Sequence, residues 1–104
     1  MKIAVLGYGT VGSGVVELMN MNPEQIKQNT GKQIDIKYIL DIRDFNDSPY
    51  ASLFTKDFNQ ILNDKEVEVV VEVIGGLEPA YTFVSKSLEA GKSVVTSNKE
   101  LVSV

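Results

Sequence analysis

Residues 3–12 read I-A-V-L-G-Y-G-T-V-G, and this segment is the most informative about the fold class. The first four residues are a continuous apolar run that stops at glycine, which is typical of a strand buried on both faces of a parallel sheet. From Thr10 onward, apolar residues recur at spacings of three and four, which predicts an amphipathic helix. The sequence therefore opens with a buried strand, a glycine-rich turn and a helix.

The glycines of this turn match G-x-G-x-x-G, the dinucleotide-binding pattern, in the strand-to-helix context that the pattern requires. Gly7 allows the tight turn, Gly9 lets a pyrophosphate approach the backbone, and Gly12 lets the helix lie close to the strand. Thr10 and Val11 begin the helix, whose free amides and about half a positive charge favour phosphate. A P-loop would need G-x-x-x-x-G-K-[ST], which is absent, whereas FAD and S-adenosylmethionine sites can share the glycine turn.

The rest of the chain continues the alternation of strands and helices. Apolar runs predict strands at residues 34–40, 67–74 and 93–96. Thr55 is the expected cap of a second helix, and Pro79 and Gly91 bound a third. The order βαβαβαβ predicts an α/β fold, a Rossmann-type parallel sheet with helices on both faces, truncated after the fourth strand. We expect residues 1–104 to form one NAD(P)-binding domain, with an exposed polar connection at residues 23–33.

Composition excludes several classes of function. Ten basic and fourteen acidic residues give a net charge of −4, and no basic stripe suits a nucleic acid. The chain has no Cys and no His, which removes thiolate nucleophiles, Ser-His pairs and the usual zinc sites, so no metal is expected. The apolar run at the start is too short for a signal peptide or a membrane helix, so we expect a cytoplasmic protein without a membrane partner.

The end of the second strand offers two opposed candidates for the adenosine ribose. Asp41 favours NAD, because a carboxylate accepts hydrogen bonds from the ribose hydroxyls. Arg43 favours NADP, because its planar fork can hold a 2′-phosphate. Asp41 lies further beyond the glycine turn than the usual ~20 residues, and the polar connection accounts for the excess. The pattern leaves the choice between NAD and NADP open.

Three blocks in order carry a family resemblance: residues 4–16, A-V-L-G-Y-G-T-V-G-S-G-V-V; residues 70–80, V-V-E-V-I-G-G-L-E-P-A; and residues 90–102, A-G-K-S-V-V-T-S-N-K-E-L-V. Together they resemble homoserine dehydrogenase, with Ser97 where Ala is commoner. The resemblance implies an NAD(P)-dependent oxidoreductase that interconverts aspartate 4-semialdehyde and homoserine in threonine and methionine biosynthesis. It also implies a further substrate and dimerisation domain, a homo-oligomer at full length, and an inactive nucleotide-binding portion on its own.

The same resemblance implies site residues beyond the glycine turn. Lys99 matches the family's N-K lysine near the nicotinamide and substrate, where an ammonium can donate to a carbonyl oxygen or assist proton transfer. The glycine pair after the third strand can lie against the nicotinamide, and the fourth strand ends in short donors. These cofactor-binding candidates are Gly75, Gly76, Thr96, Ser97, Asn98 and Lys99.

Glu72 stands near the end of a strongly apolar strand, where an unpaired carboxylate would be costly. We expect it to have a structural partner, either neighbouring loop groups or Lys99. Two alternative functions stay open: another Rossmann oxidoreductase of amino-acid metabolism, and a non-catalytic NAD(H)-sensing module. Lys99 favours an enzyme, because a sensor needs no polar group beside the nicotinamide.

Overall fold

The computed structural model describes residues 1–21, 34–74 and 79–96, which contain one parallel sheet of five strands. The strand order in space is β3-β2-β1-β4-β5, and every adjacent pair is parallel. The strands are β1 (Lys2–Leu6), β2 (Asp35–Leu40), β3 (Phe54–Thr55), β4 (Val67–Glu72) and β5 (Ser93–Thr96). Because the chain winds outward from β1 in both directions, β1 marks the switch point where such sheets bind ligands.

The described helices lie on both faces of this sheet, as predicted. They are α1 (Thr10–Met21), α2 (Phe58–Leu62) and α3 (Ala80–Glu89), with a 3₁₀ turn at Ala51–Leu53. Alternate side chains of β1 lie on opposite faces of the sheet, because successive side chains of a strand point to opposite sides. Ile3 and Val5 pack with Val16 of α1, whereas Ala4 and Leu6 pack in a cluster with Ile61 of α2.

Two local features differ from the sequence predictions. Phe54–Thr55 is a fifth, two-residue strand, because these residues pair with Ile39 and Leu40 of β2. Thr55 is therefore extended and does not cap α2. Asp57 takes that position, with its carboxylate accepting from the Asn59 amide at 3.0 Å, while the Thr55 hydroxyl oxygen accepts from the Asp57 amide at 3.1 Å.

The predicted end of the third helix is confirmed. Gly91 follows α3 in the left-handed region, with φ of +82°, and the Ala90 amide donates to the Lys86 carbonyl at 3.0 Å. L-residues with a Cβ rarely adopt this backbone conformation, which explains a glycine here. The polar connection predicted at residues 23–33 lies outside the described residues.

The amino ends of the strands are held by a polar cluster around Asp64. The Lys37 ammonium lies 2.6 Å from the Asp64 carboxylate, and with the Tyr38 hydroxyl it holds the Asp64 pKa at about 2. Lys92 is buried, and its Nζ donates to the carbonyls of Asp64 and Val67 at 2.8 Å each. This cluster fixes the edge of the sheet opposite the glycine turn.

Among the residues that the structure describes, no helix is long and apolar enough to cross a membrane. Within the same residues, no group of three or more acidic side chains could hold a metal ion.

Candidate functional site

The carboxyl ends of the three central strands meet at Gly7. Its amide donates to the Leu40 carbonyl at 2.7 Å, and the Val73 amide donates to the Leu6 carbonyl at 3.0 Å. Gly7 has φ of +99°, and a Cβ there would lie 3.0–3.3 Å from atoms of Ile74. Both the backbone conformation and the close neighbour require glycine at this turn.

Gly12 and Gly9 have contrasting surroundings. A Cβ on Gly12 would overlap the carbonyl oxygen of Gly7 and lie 3.2 Å from a methyl group of Val73. The start of α1 therefore rests directly on the turn. A Cβ on Gly9 would meet nothing within 4 Å, so the backbone there faces open space. This is the geometry of a cradle in which a ligand can reach the main chain.

The start of α1 supplies donors to this cradle. The first backbone hydrogen bond of the helix runs from the Ser13 amide to the Gly9 carbonyl at 2.9 Å. In the part of the chain that the structure describes, the amides of Thr10, Val11 and Gly12 have no acceptor, as is usual in a first helical turn. These N–H groups and the helix dipole together favour a bound phosphate.

A cavity of about 300 Å³ opens beside the turn, between the ends of β2 and β4 and the start of α3. One wall is apolar, and Ile42 at its edge is 87% exposed. Such a wall suits a flat, weakly polar group such as a purine base. The lining side chains are Tyr8, Leu40, Asp41, Ile42, Arg43, Lys56, Val73, Ile74, Pro79 and Phe83.

Asp41 binds both the glycine turn and Arg43. One oxygen, Oδ2, accepts from the Tyr8 amide at 2.9 Å and from Arg43 Nη2 at 3.0 Å. The other, Oδ1, accepts from the Arg43 amide at 2.9 Å and from Arg43 Nε at 3.1 Å. The Arg43 guanidinium, with the two amides, holds the Asp41 pKa at about 2. The two ribose candidates are therefore an ion pair rather than independent side chains.

Two side chains hold the Arg43 guanidinium in place: the Asp41 carboxylate, and the Phe45 ring, whose centre lies 5.1 Å away. The Arg43 side chain is nevertheless 59% exposed. Lys56 lies on the same rim and pairs with Asp44 at 2.8 Å. The sequence analysis does not identify Lys56 as a site residue. Its place on the cavity rim depends on the short strand β3, and no apolar pattern predicts that strand.

The ends of β4 and β5 are joined through Glu72. Its side chain is fully buried, and it accepts from the Ile74 amide at 2.7 Å and from the Thr96 hydroxyl at 2.5 Å. The predicted structural hydrogen bonds of Glu72 are thus confirmed. Because Glu72 and Thr96 are paired across the two strands, the carboxyl ends of β4 and β5 lie at the edge of the sheet where Gly7 lies.

Five candidates, namely Gly75, Gly76, Ser97, Asn98 and Lys99, lie outside the described residues. Their assignments to the nicotinamide side stay predictions. The structure brings Gly7, Gly9, Asp41 and Arg43 together around one cavity, with Thr10, Val11 and Gly12 following directly at the start of α1. It places Thr96 on β5, two strands from β1 and three from β2.

Comparisons with known proteins agree with this geometry. A family model described as the NAD-binding domain of homoserine dehydrogenase matches residues 7–103. The homoserine dehydrogenase of Lactococcus lactis is 38% identical over 108 residues, which cover 99% of this chain and 25% of the relative. That of Corynebacterium glutamicum is 39% identical over 102 residues, covering 96% of this chain and 23% of the relative.

Solved structures give the same result. The crystal structure of Staphylococcus aureus homoserine dehydrogenase at pH 7.0 is similar with a TM-score of 0.84 and 41% identity, covering 96% of this chain and 26% of that one. The enzyme of Thiobacillus denitrificans gives a TM-score of 0.88 and 36% identity, covering 98% and 24%. The chain thus spans about a quarter of the length of these relatives. It belongs to the homoserine dehydrogenase NAD-binding domain family, whose cofactor is NAD or NADP.

Proposed function

We propose that this chain holds NAD or NADP for the interconversion of aspartate 4-semialdehyde and homoserine. The observation that carries the proposal is the open backbone at Gly9, which lines a cavity rimmed by Asp41 and Arg43. Gly9 directly precedes the first amides of α1, which have no acceptor among the described residues. A dinucleotide needs this combination: donors for a pyrophosphate, an apolar wall for a base, and a polar group for the ribose.

These residues fit one orientation of the cofactor. The pyrophosphate would lie at the amides of residues 10–12, and the adenine would lie against the cavity wall that includes Ile42 and Pro79. The adenosine ribose would then be close to Asp41 and Arg43. The nicotinamide half would extend toward the ends of β4 and β5, where the sequence places Gly75 and Lys99.

The chemistry divides between cofactor and protein. The bound cofactor supplies the hydride acceptor for the forward oxidation and the hydride donor for the reverse reaction. The alcohol of homoserine must also lose its hydroxyl proton as C4 loses hydride. We propose that Lys99 Nζ, as a neutral amine, accepts that proton and becomes an ammonium. In the reverse direction the ammonium donates a hydrogen bond to the aldehyde oxygen and returns the proton as C4 gains hydride. Glu72 and Thr96 hold the ends of the strands that bear this edge, so we give them a structural role.

The remaining properties are proposed for the complete protein. Its substrate is a small amino acid, it forms a homo-oligomer, and it works in the cytoplasm. The acidic charge of this chain gives no support to nucleic-acid binding.

The experiment is an assay of homoserine-dependent cofactor reduction by the complete product of the gene that encodes this chain. Lys99→Met keeps the length of the side chain but removes its charge, and we expect kcat to fall ~10²–10⁴-fold. Lys65→Met is the matched control, because Lys65 is exposed at the opposite edge of the sheet.

The outcomes separate the candidate functions. Unchanged kcat in Lys99→Met would remove Lys99 from the mechanism. Cofactor binding without any homoserine-dependent turnover would favour the alternative of a sensing module.

A further inference from the structure

We propose that Glu72 is a positioning residue for the reaction, because its buried carboxylate links the end of β5 to the backbone beside the glycine turn. This role goes beyond holding the sheet together, and it rests on the proposed function. The turn would hold the cofactor, and Lys99, the proposed proton acceptor, follows the last residue of β5 by three residues in the sequence. A side chain that joins these two places would set the distance between the cofactor and the amine.

Glu72 is an unusual residue for its position in the sheet. It is fully buried in β4, aligned with Leu6 of β1 on one side and with Thr96 of β5 on the other. Among the acidic residues that the structure describes, it alone is fully buried. An apolar side chain would pack here at lower cost, because a buried carboxylate loses its hydration. The hydrogen bonds of Glu72 are therefore the property that needs a reason.

One carboxylate oxygen holds the segment that follows β4. Oε2 accepts from the Ile74 amide at 2.7 Å. Ile74 packs against the glycine turn, since a Cβ on Gly7 would lie 3.0 Å from the Ile74 side chain and 3.2 Å from its Cα. The bond to Oε2 therefore fixes the backbone on which Gly7 rests.

The other carboxylate oxygen holds the last residue of β5. Oε1 accepts from the Thr96 hydroxyl at 2.5 Å, across the two strands. Within the described part of the chain, β5 is an edge strand with β4 as its neighbour. The ends of such strands open more readily than the centre of a sheet, because the ladder of backbone hydrogen bonds stops there. The bond to Oε1 keeps this end in register with β4.

The two bonds join the glycine turn to the end of β5. The contacts run from Gly7 to the Ile74 backbone, then through the Glu72 carboxylate to Thr96. Reacting atoms must be held ~3–3.5 Å apart, and a misplacement of ~1 Å can cost ~10²-fold in rate. Loss of the bond between Glu72 and Thr96 should therefore lower kcat. The same loss should spare the pyrophosphate site, because Thr96 lies two strands from β1.

The test uses the complete product of the gene and measures two quantities: kcat for homoserine-dependent reduction of NAD and NADP, and affinity for ADP-ribose. This probe carries the pyrophosphate but no nicotinamide. Thr96→Val removes the hydroxyl and keeps the branched shape, so kcat should fall about 10- to 100-fold while ADP-ribose affinity stays at the wild-type value. Thr96→Ser keeps the hydroxyl and should recover most of the lost kcat.

Ser87→Ala is the matched control for the loss of one hydroxyl hydrogen bond. The Ser87 hydroxyl is buried and donates to the Phe83 carbonyl at 2.7 Å, so this bond lies within α3. Ser87→Ala should lower stability in urea to an extent similar to Thr96→Val, yet keep the wild-type kcat. The comparison separates a positioning effect from a general loss of stability.

A double-mutant cycle tests whether Glu72 and Thr96 act through one bond. In Glu72→Gln the amide oxygen can still accept from Ile74, and the new NH₂ group can donate to the Thr96 hydroxyl oxygen, which makes a weaker bond than the carboxylate does. We expect kcat to fall less than in Thr96→Val, and the double variant to be no slower than Thr96→Val alone. If Thr96→Val does not fold, Glu72→Gln must still lower kcat with ADP-ribose affinity kept.

Hydrogen exchange gives a readout that needs no turnover. The amides of residues 94–96 should exchange faster in Thr96→Val than in wild type, because the end of β5 opens more often. Their exchange in Ser87→Ala should match wild type.

Three results would contradict the positioning role while the dinucleotide site stands. They are a wild-type kcat in Thr96→Val, a loss in Thr96→Ser as large as in Thr96→Val, and a double variant whose loss is the product of the two single losses. If the wild-type protein binds ADP-ribose but does not oxidise homoserine, the proposed function is wrong, and the positioning role is wrong with it.

Discussion

Three glycines in and next to α1 offer a sharp test, because each can be given the same methyl group in different surroundings. In Gly12→Ala the new carbon overlaps the Gly7 carbonyl oxygen, which is backbone and cannot swing aside. In Gly9→Ala and Gly14→Ala it meets nothing within 4 Å. Gly9 precedes α1 at the cradle, whereas Gly14 lies inside the helix on its exposed side. The structure therefore separates a packing effect, a binding effect and a propensity effect.

The expected magnitudes follow from these surroundings. Gly12→Ala should lower the free energy of unfolding by about 2–3 kcal/mol, because the helix must shift away from the turn. That is a fall in Tm of roughly 8–24 °C for a domain of this size. Gly14→Ala should raise the unfolding free energy by about 0.5–1 kcal/mol through helix propensity. Gly9→Ala should change stability by less than about 0.5 kcal/mol but lower cofactor affinity about tenfold or more, since a phosphate loses close contact with the amides.

Urea and thermal unfolding, followed by circular dichroism, give the stabilities, and titration of NADPH fluorescence gives the affinities. Gly14→Ala serves as the control for adding a methyl group without steric or binding consequences. The reasoning fails if Gly12→Ala is as stable as wild type. It also fails if Gly9→Ala loses stability to the same extent as Gly12→Ala, or keeps full affinity for NADPH.

Three further predictions concern acid stability, a buried lysine and turnover. Asp41 and Asp64 both have a pKa of about 2 when folded, against about 4 when unfolded, so the unfolded chain binds protons first as the pH falls. Their contribution to stability should be complete above about pH 5 and be lost between about pH 5 and pH 1; acid unfolding checks this, and Asp41→Asn should flatten the fall. Lys92→Met should lower the unfolding free energy by about 1.5–3 kcal/mol, because the buried Val67 carbonyl and the partly buried Asp64 carbonyl lose a charged donor, whereas urea unfolding of Lys65→Met should match wild type. Residues 1–104 alone should bind cofactor but show no homoserine-dependent reduction, because they span only about a quarter of the length of the relatives and we expect the remainder to orient the substrate; rates of ~1–10³ per second would refute this.

The sequence predicts best those features that depend only on residues close together in the chain, such as the burial of a strand or the glycines of a turn. The apolar run of β1, the glycines of the turn and the β-branched run of β4 each carry their own signal, and together they predicted the parallel sheet and its ligand edge. At Gly12 the sequence predicts a close contact but not the group that makes it. Its spacing indicated close packing, and the structure added that the Gly7 carbonyl is the neighbour.

Features that depend on distant pairing were missed. Strand β3 has two residues, too few for any periodicity, and it exists because Phe54 and Thr55 meet β2. Lys92 follows α3 in the chain, but its amine is bound to carbonyls 28 and 25 residues earlier, a contact that no local pattern indicates. Asp41 and Arg43 were interpreted as competitors, because only the folded loop shows that the fork closes on the carboxylate.

The central claim is that a dinucleotide binds at the carboxyl edge of the sheet, with its pyrophosphate at the start of α1. Amide chemical shifts of the ¹⁵N-labelled chain during titration with NADP test this claim most directly. We predict the largest changes at residues 7–12 and 41–43, and none at residues 62–68 and 90–92 on the opposite edge. Changes concentrated at that opposite edge, with residues 7–12 unmoved, would contradict the account.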